Sequence, residues 1–360
     1  MTTLAYASVN QSGLSFDGQL WMRPEIVPAL KRITDDVHAA GAKCSIQLGH
    51  CGNMTHRSTC GCTPMGASGG FNIYSPTFAR RMSHKDIDTL VEDFGKAVNL
   101  AREAGFDCVE IHAGHGYLIS QFLSPFTNHR HDEYGGSLQN RMRLMRRVIT
   151  RVMEAAGDDM AVVVKMNMHD GFRGGMQEGE CLEVARELER LGVHALVLSA
   201  GFVSKAPMEV MRGSMPLRTF SHYMDSRKFW WLQLMLFLAG RVLIPTVPYK
   251  EGYFLEDALK FRSAVKMPLI YVGGMVSREK MEEVLADGFC AVQMARALIN
   301  DTDFVNKLHS GEISRSSCGH SNYCIGRMYS LEMKCNKCVA NLPEKLRREI
   351  EKAETINNNQ

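Results

Sequence analysis

The chain has 360 residues, of which 45% are hydrophobic and 22% are charged, a composition typical of a globular enzyme rather than a disordered or fibrous protein. Its formal net charge of +3 is small for this length, and no Lys/Arg stripe is interleaved with aromatic residues, so we expect no nucleic-acid partner. Eleven cysteines, and an N-terminus without a basic and apolar leader, predict free thiols in the reducing cytoplasm.

Short runs rich in Val, Ile and Leu recur along the chain and predict strands of a covered parallel sheet. Six runs are clear, and a seventh candidate precedes them; in chain order they are residues 4–9, 43–49, 108–114, 161–167, 195–201, 268–274 and 291–296. Amphipathic helices are predicted between them at residues 85–105, 138–157, 178–192 and 277–288. Such repeated strand–helix units form either an open doubly wound sheet or a closed (β/α)8 barrel.

Two observations favour the barrel. No strand is followed by G-x-G-x-x-G, the fingerprint of a dinucleotide-binding doubly wound domain. Polar or glycine residues instead stand at the C-terminal ends of many strands, where the loops of a barrel converge on one face: Gln47, His112, Lys165, Gly273 and Arg296. The predicted fold class is therefore an α/β (β/α)8 TIM barrel that lacks its first strand and part of the second at the N-terminus, because seven candidates are present where eight are needed.

The predicted domain organisation is a barrel over residues 1–310, followed by a cysteine-containing extension at 311–360. The connection after residue 201 is unusually long and forms an apolar excursion at about 202–252. Its most apolar part, residues 229–244, is shorter than the roughly 20 residues of a membrane span, so we expect a packed or interfacial helix and no span. This segment is a candidate to bind a bulky hydrophobic substrate or to form a subunit contact in a homo-oligomer.

The stretch EIHAGHGYLISQFLSP, residues 110–125, places His112, His115 and Tyr117 at the end of a buried strand. Two imidazoles can donate hydrogen bonds to a carbonyl or nitro oxygen, and a nearby phenol can supply a proton to carbon. A metal site at the two imidazoles is the alternative, but no carboxylate or third histidine follows them closely. The pattern therefore favours a site for small-molecule chemistry.

Residues 111–144 and 271–304, together with 38–52, closely resemble the flavin-dependent Old Yellow Enzyme family of NADH:flavin oxidoreductases. Within that family the resemblance is strongest to the branch that includes 2,4-dienoyl-CoA reductase. It implies a (β/α)8 barrel with FMN at its mouth and NADH or NADPH as the reductant. By position, His112 and His115 are similar to the pair that binds the activating oxygen of the substrate, and Tyr117 is similar to the proton donor.

The resemblance also assigns cofactor-binding residues. Gln47 matches the side chain at the flavin pyrimidine edge, and Lys165 stands where the family usually has Arg beside flavin N1 and O2. Gly273, Gly274 and Arg296 match the phosphate end. Glycine lets backbone N–H groups approach an anion closely, and Arg adds a bidentate pair, so this assignment is also chemically reasonable.

The dienoyl-CoA reductase branch carries a [4Fe–4S] cluster after the barrel, and four cysteines stand in the corresponding region: Cys318, Cys324, Cys335 and Cys338. Their spacing, C-x5-C-x10-C-x2-C, departs from the C-x2-C-x3-C pattern of that branch. A bound metal centre and a thiol-rich tail both remain open.

The function expected from the resemblance is an FMN-dependent ene reductase that passes hydride from NAD(P)H through flavin to an enone or enoyl substrate. The alternative is an N-terminally truncated, non-catalytic or FMN-deficient barrel. A third possibility, a Schiff-base aldolase using Lys165, leaves His112, His115 and Gln47 without a role.

Overall fold

The structure is a computed structural model that describes residues 1–72, 77–224, 230, 233, 234, 236, 238, 240, 244–328 and 332–358. The described chain divides into two compact units. The first unit consists of Met1–Lys205 with Lys260–Leu269, and the second consists of Ala206–Leu259 with Ile270–Gln360. Residues on both sides of the predicted boundary at residue 310 lie in the second unit. The boundary between barrel and extension stays a prediction.

Five parallel strands form the sheet of the first unit, in the order β1, β2, β6, β7, β8. They are β1 (Thr2–Ser8), β2 (Cys44–Gly49), β6 (Cys108–His112), β7 (Ala161–Asn167) and β8 (Ala195–Ser199). Every residue of β6 and β8 is buried, as expected for parallel strands with covered faces. The run at 4–9, predicted as the seventh strand, is therefore part of a strand and pairs with its neighbour along the chain.

Helices alternate with these strands: α1 (Val27–Ala39), α3 (His84–Glu103), α6 (Arg143–Ala156) and α7 (Glu178–Arg190). Short elements occupy the loops, namely α2 (Arg57–Cys60), α4 (Leu118–Leu123), α5 (Leu138–Arg141) and the small sheet of β3 (Met65–Gly66), β4 (Gly70–Asn72) and β5 (Thr77–Arg81). Helix α3 begins with a capping box, in which Ser83 Oγ accepts from the Asp86 N–H and the Asp86 carboxylate accepts from the Ser83 N–H.

The predicted helix at 138–157 is two helices, which separate at Met142. Arg141 lies at the end of α5 and is buried, and its guanidinium donates to the Leu123 carbonyl and to Glu180. These contacts come from residues distant in sequence, which a local apolar pattern does not contain.

In the second unit, the described elements include α8 (Pro207–Met211), α9 (Leu217–Tyr223), α11 (Arg278–Ala286), α12 (Arg296–Asn300), α13 (Phe304–Ser310), α14 (Tyr323–Gly326) and α15 (Glu344–Asn358). Helix α10 (Leu255–Ala264) and strand β9 (Leu269–Tyr271) cross the boundary between the units, and β9 pairs in parallel with β10 (Ala291–Val292). Ala297, Phe304 and Leu308 form one buried apolar cluster of this unit.

Much of the apolar segment 229–244 lies outside the described residues, so the prediction of a packed helix there stays a prediction. Within the part of the chain that the structure describes, no helix is both long enough and apolar enough to cross a membrane.

Candidate active site

A buried carboxylate joins the ends of three neighbouring strands in the first unit. The register pairs Gln47 of β2 with Glu110 of β6, and His112 of β6 with Lys165 of β7. Gln47 Nε2 donates to Glu110 Oε1 at 2.5 Å, and Lys165 Nζ lies 3.3 Å from the same oxygen. Glu110 is only 3% exposed, so the two side chains supply the polar partners that a buried carboxylate needs.

Two imidazoles and a phenol, which the sequence placed at the end of one strand, come together in the structure. The ring centroid of His112 lies 5.1 Å from that of His115 and 4.5 Å from that of Tyr117. Burial, reinforced by the cation of Lys165, lowers the pKa of His112 to about 3. Burial also holds the pKa of His115 well below its usual range, with His112 and Lys165 adding to the effect. Both rings are therefore neutral near pH 7 and act as hydrogen-bonding groups rather than as cations.

The backbone of His115 is left-handed, with φ of 57°, a conformation that is uncommon for a residue other than glycine. The Asn167 side chain accepts from the His115 N–H at 3.0 Å, and the His115 carbonyl accepts from the Val203 N–H at 3.0 Å. Asn167 Nδ2 in turn donates to Asp170 Oδ1 and to the Gly201 carbonyl. This buried network holds the second imidazole in place.

Tyr117 is the N-cap of α4, and its ring centroid lies 4.9 Å from that of Tyr6 on β1. The Tyr6 hydroxyl donates to the Gly13 carbonyl at 3.0 Å. The sequence reasoning did not include Tyr6, although it lies in a predicted strand. Glu110 was also missed, and its position two residues before His112 placed it on the same face of the strand.

In the second unit, the predicted phosphate-binding glycines lie in a tightly packed turn after β9. A Cβ on Gly273 would lie 2.2 Å from the Tyr271 hydroxyl oxygen, and Gly274 has φ of 69°. Among the described residues, neither the Gly273 N–H nor the Gly274 N–H donates a hydrogen bond. Arg296 begins α12, and its Nη1 donates to Asn322 Oδ1 at 2.6 Å. The turn therefore offers two backbone donors, and Arg296 supplies a cation in the same unit.

Three of the four predicted metal ligands, Cys318, Cys324 and Cys335, line a small pocket in the second unit, whereas Cys338 is exposed. Over the described ranges, the group of three His, Cys, Asp or Glu side chains whose potential ligand atoms lie within 4.8 Å of one another is His84, Asp132 and Glu133. No three of the four sulfurs meet that distance, and the cluster stays a prediction.

Comparison with known proteins decides the family. The family model of NADH:flavin oxidoreductase / NADH oxidase matches residues 1–233. The chain belongs to this family. It is therefore related to oxidoreductases whose cofactor is FMN and whose reductant is NADH or NADPH, as the sequence motifs predicted.

Relatives of the NADH:flavin oxidoreductase family cover nearly the whole chain. The 4,4'-dithiodibutanoate disulfide reductase of Rhodococcus erythropolis is 36% identical over 331 residues, which is 92% of this chain and 81% of the relative. The NADH oxidase of Thermoanaerobacter brockii is 29% identical over 309 residues, which is 84% of this chain. The chain spans only 42% of that second relative.

Among solved structures, the Old Yellow Enzyme homologue from Zymomonas mobilis has a TM-score of 0.66 at 24% identity, over 87% of this chain and 79% of that chain. Identity this low shows the fold alone. The fold is the α/β class of the (β/α)8 barrel, and seven of its parallel strands lie in the described residues. Membership of the dienoyl-CoA reductase branch stays a prediction.

Proposed function

We propose that this chain transfers hydride from NADH or NADPH, by way of FMN, to an electron-poor alkene such as an enone or enoyl compound. The observation that carries the proposal is the convergence of two neutral imidazoles and a phenol at the end of a buried strand, in a chain of the NADH:flavin oxidoreductase family. That arrangement suits an acceptor oxygen and a carbon that must be protonated.

The residues of the first unit fit the ring of this cofactor. Among the described residues, Gln47 Oε1 has no hydrogen-bond partner, so it can accept the imide N–H of a flavin. Lys165 keeps donors beyond its contact with Glu110 and provides a cation for the pyrimidine oxygen. When bound, FMN would accept hydride from the nicotinamide and pass it on to the substrate.

In the second unit, the residues fit a phosphate. The open N–H groups of Gly273 and Gly274 and the guanidinium of Arg296 are donors of the kind that hold phosphate oxygens. We propose that these three residues bind the phosphate of FMN.

The side chains of the first unit then have distinct tasks. His112 and His115 donate hydrogen bonds to the oxygen that activates the alkene and stabilise the negative charge that develops there. Tyr117 gives its hydroxyl proton to the α-carbon and regains a proton from solvent, while the β-carbon receives the hydride. One alkene, one NAD(P)H and one proton therefore yield one saturated product and one NAD(P)⁺.

The test is product analysis with two substrates. The purified chain is incubated with FMN, NADPH or NADH, and either 2-cyclohexenone or 4,4'-dithiodibutanoate, the substrate in the name of the Rhodococcus relative. We expect saturated ketone from the first. If the disulfide yields thiol but the enone yields no saturated ketone, the substrate class is a disulfide rather than an alkene. If neither product forms, both substrate classes are excluded.

A further inference from the structure

Among the described residues, one side chain forms a hydrogen bond with an imidazole nitrogen of His115. Its Nε2 lies 2.7 Å from Ser199 Oγ, at the end of strand β8. Among the described residues, His115 Nδ1 has no hydrogen-bond partner. The direction of the bond to Ser199 therefore decides which nitrogen carries the single proton of this neutral ring.

The hydroxyl of Ser199 determines that direction. Ser199 is 4% exposed, and within the described part of the chain its Oγ has no other partner than His115. If Nε2–H donated to the hydroxyl oxygen, the hydroxyl hydrogen would be buried without an acceptor, which is unfavourable. If the hydroxyl donates to Nε2, its hydrogen is satisfied and the ring proton resides on Nδ1. Water or a ligand can accept from that Nδ1–H, because His115 is only half-buried and its Nδ1 is not among the described buried atoms that lack a partner.

His112 has the opposite arrangement. Its Nδ1 accepts from the Gly114 N–H at 3.4 Å, so its proton resides on Nε2. Over the described ranges, that Nε2 has no hydrogen-bond partner in the chain. Each ring therefore keeps one N–H that the chain itself does not use.

We propose that Ser199 is a positioning residue that holds His115 as the Nδ1–H tautomer, so that His115 and His112 both present N–H donors to one ligand. The tautomer follows from the hydrogen bonds alone, whereas its effect on turnover rests on the proposed function. A pair of donors selects ligands with an acceptor oxygen, such as carbonyl, carboxylate or nitro compounds. It disfavours ligands whose corresponding group is a donor, because two N–H groups would then face another hydrogen.

The direct test is ¹⁵N NMR of the full chain labelled at histidine, recorded near pH 7 so that both rings are neutral. Two-bond couplings between ring nitrogens and carbon-bound protons separate the two tautomers, and a His115→Gln variant assigns the signal among the 13 histidines. We expect His115 to carry its proton on Nδ1 and His112 on Nε2. A wild-type His115 protonated on Nε2 would overturn the proposal without any substitution being made.

Ser199→Ala tests the cause. We expect the Nε2–H form of His115 to gain population, because no hydroxyl hydrogen then needs Nε2 as its acceptor, while Ser45→Ala, a change at another buried serine at the start of β2, leaves the His115 signals in place. An Nδ1–H tautomer that persists in Ser199→Ala would show that Ser199 does not hold it. Ser199→Cys, which keeps a weak donor, serves as the second variant if the alanine variant fails to fold.

The consequence for turnover is measured separately. Loss of one of two neutral hydrogen bonds to the substrate oxygen lowers kcat/KM for 2-cyclohexenone about three- to tenfold in Ser199→Ala. If His115 shows the predicted Nδ1–H tautomer but the chain reduces no alkene, the role of Ser199 stands and the proposed function is refuted. An active chain with the other tautomer would refute only the role of Ser199.

Discussion

Asn167 links the left-handed turn of His115 to the buried carboxylate of Asp170, so its removal should loosen the turn. Asn167→Ala removes three hydrogen bonds: from the His115 N–H at 3.0 Å, to Asp170 Oδ1 at 2.9 Å and to the Gly201 carbonyl at 2.8 Å. Asn167 is 6% exposed and Asp170 is 1% exposed, so water cannot readily replace these partners. At about 1 kcal/mol for each neutral bond and more for the bond to a carboxylate, we expect a loss of about 3–5 kcal/mol in the free energy of unfolding.

The assay is urea unfolding at pH 7, followed by circular dichroism and compared through the midpoint and slope of the transition. Asn140→Ala is the matched control, because among the described residues this half-buried side chain makes one hydrogen bond, to the Gly135 carbonyl. Its removal should cost about 1 kcal/mol. Hydrogen exchange at residues 114–117 gives the local readout, and we expect the His115 amide to lose protection only in Asn167→Ala. Equal destabilisation by the two variants would refute the reasoning.

Three further predictions concern the site and its surroundings. Tyr117→Phe should slow alkene reduction about 10²- to 10⁴-fold in single-turnover mixing with NADPH-reduced protein, but not flavin reduction by NADPH, and Tyr134→Phe should change neither. Burial lowers the pKa of His50 to about 4 from its usual 6.5, so its stabilisation is complete above pH 6.5 and is lost as the pH falls towards 4. The loss in the free energy of unfolding is about 3 kcal/mol. In a plot of the urea midpoint against pH, His50→Gln should flatten the slope between pH 4 and 6.5. Arg296→Met should weaken FMN binding at least about tenfold in a fluorescence titration while riboflavin binding changes little; equal weakening of both would contradict a phosphate contact.

Much of the fold was predictable because buried parallel strands are short continuous apolar runs, and each of the seven predicted runs overlaps a strand. The run at 268–274 was predicted too long, since β9 ends at Tyr271 and the following glycines form a turn. A local apolar pattern does not show where a strand gives way to a turn whose shape depends on packed tyrosines.

The site was partly predictable for a similar reason. His112, His115 and Tyr117 lie close together in sequence, and the structure brings their rings together. Asn167 and Ser199 stand at the C-terminal ends of predicted strands, so the rule that selected Lys165 could have selected them as well. Their partners lie 52 and 84 residues away, and the sequence alone does not contain those contacts.

The central claim is that this chain holds FMN and uses it to carry hydride to an alkene. The most direct measurement is the visible absorbance of the purified protein supplied with FMN and freed of excess cofactor. We predict about one bound flavin per chain, whose absorbance bleaches on anaerobic addition of NADPH or NADH and returns when 2-cyclohexenone is added. A folded chain that retains no flavin, or whose bleached flavin is not reoxidised by the enone, would contradict the account.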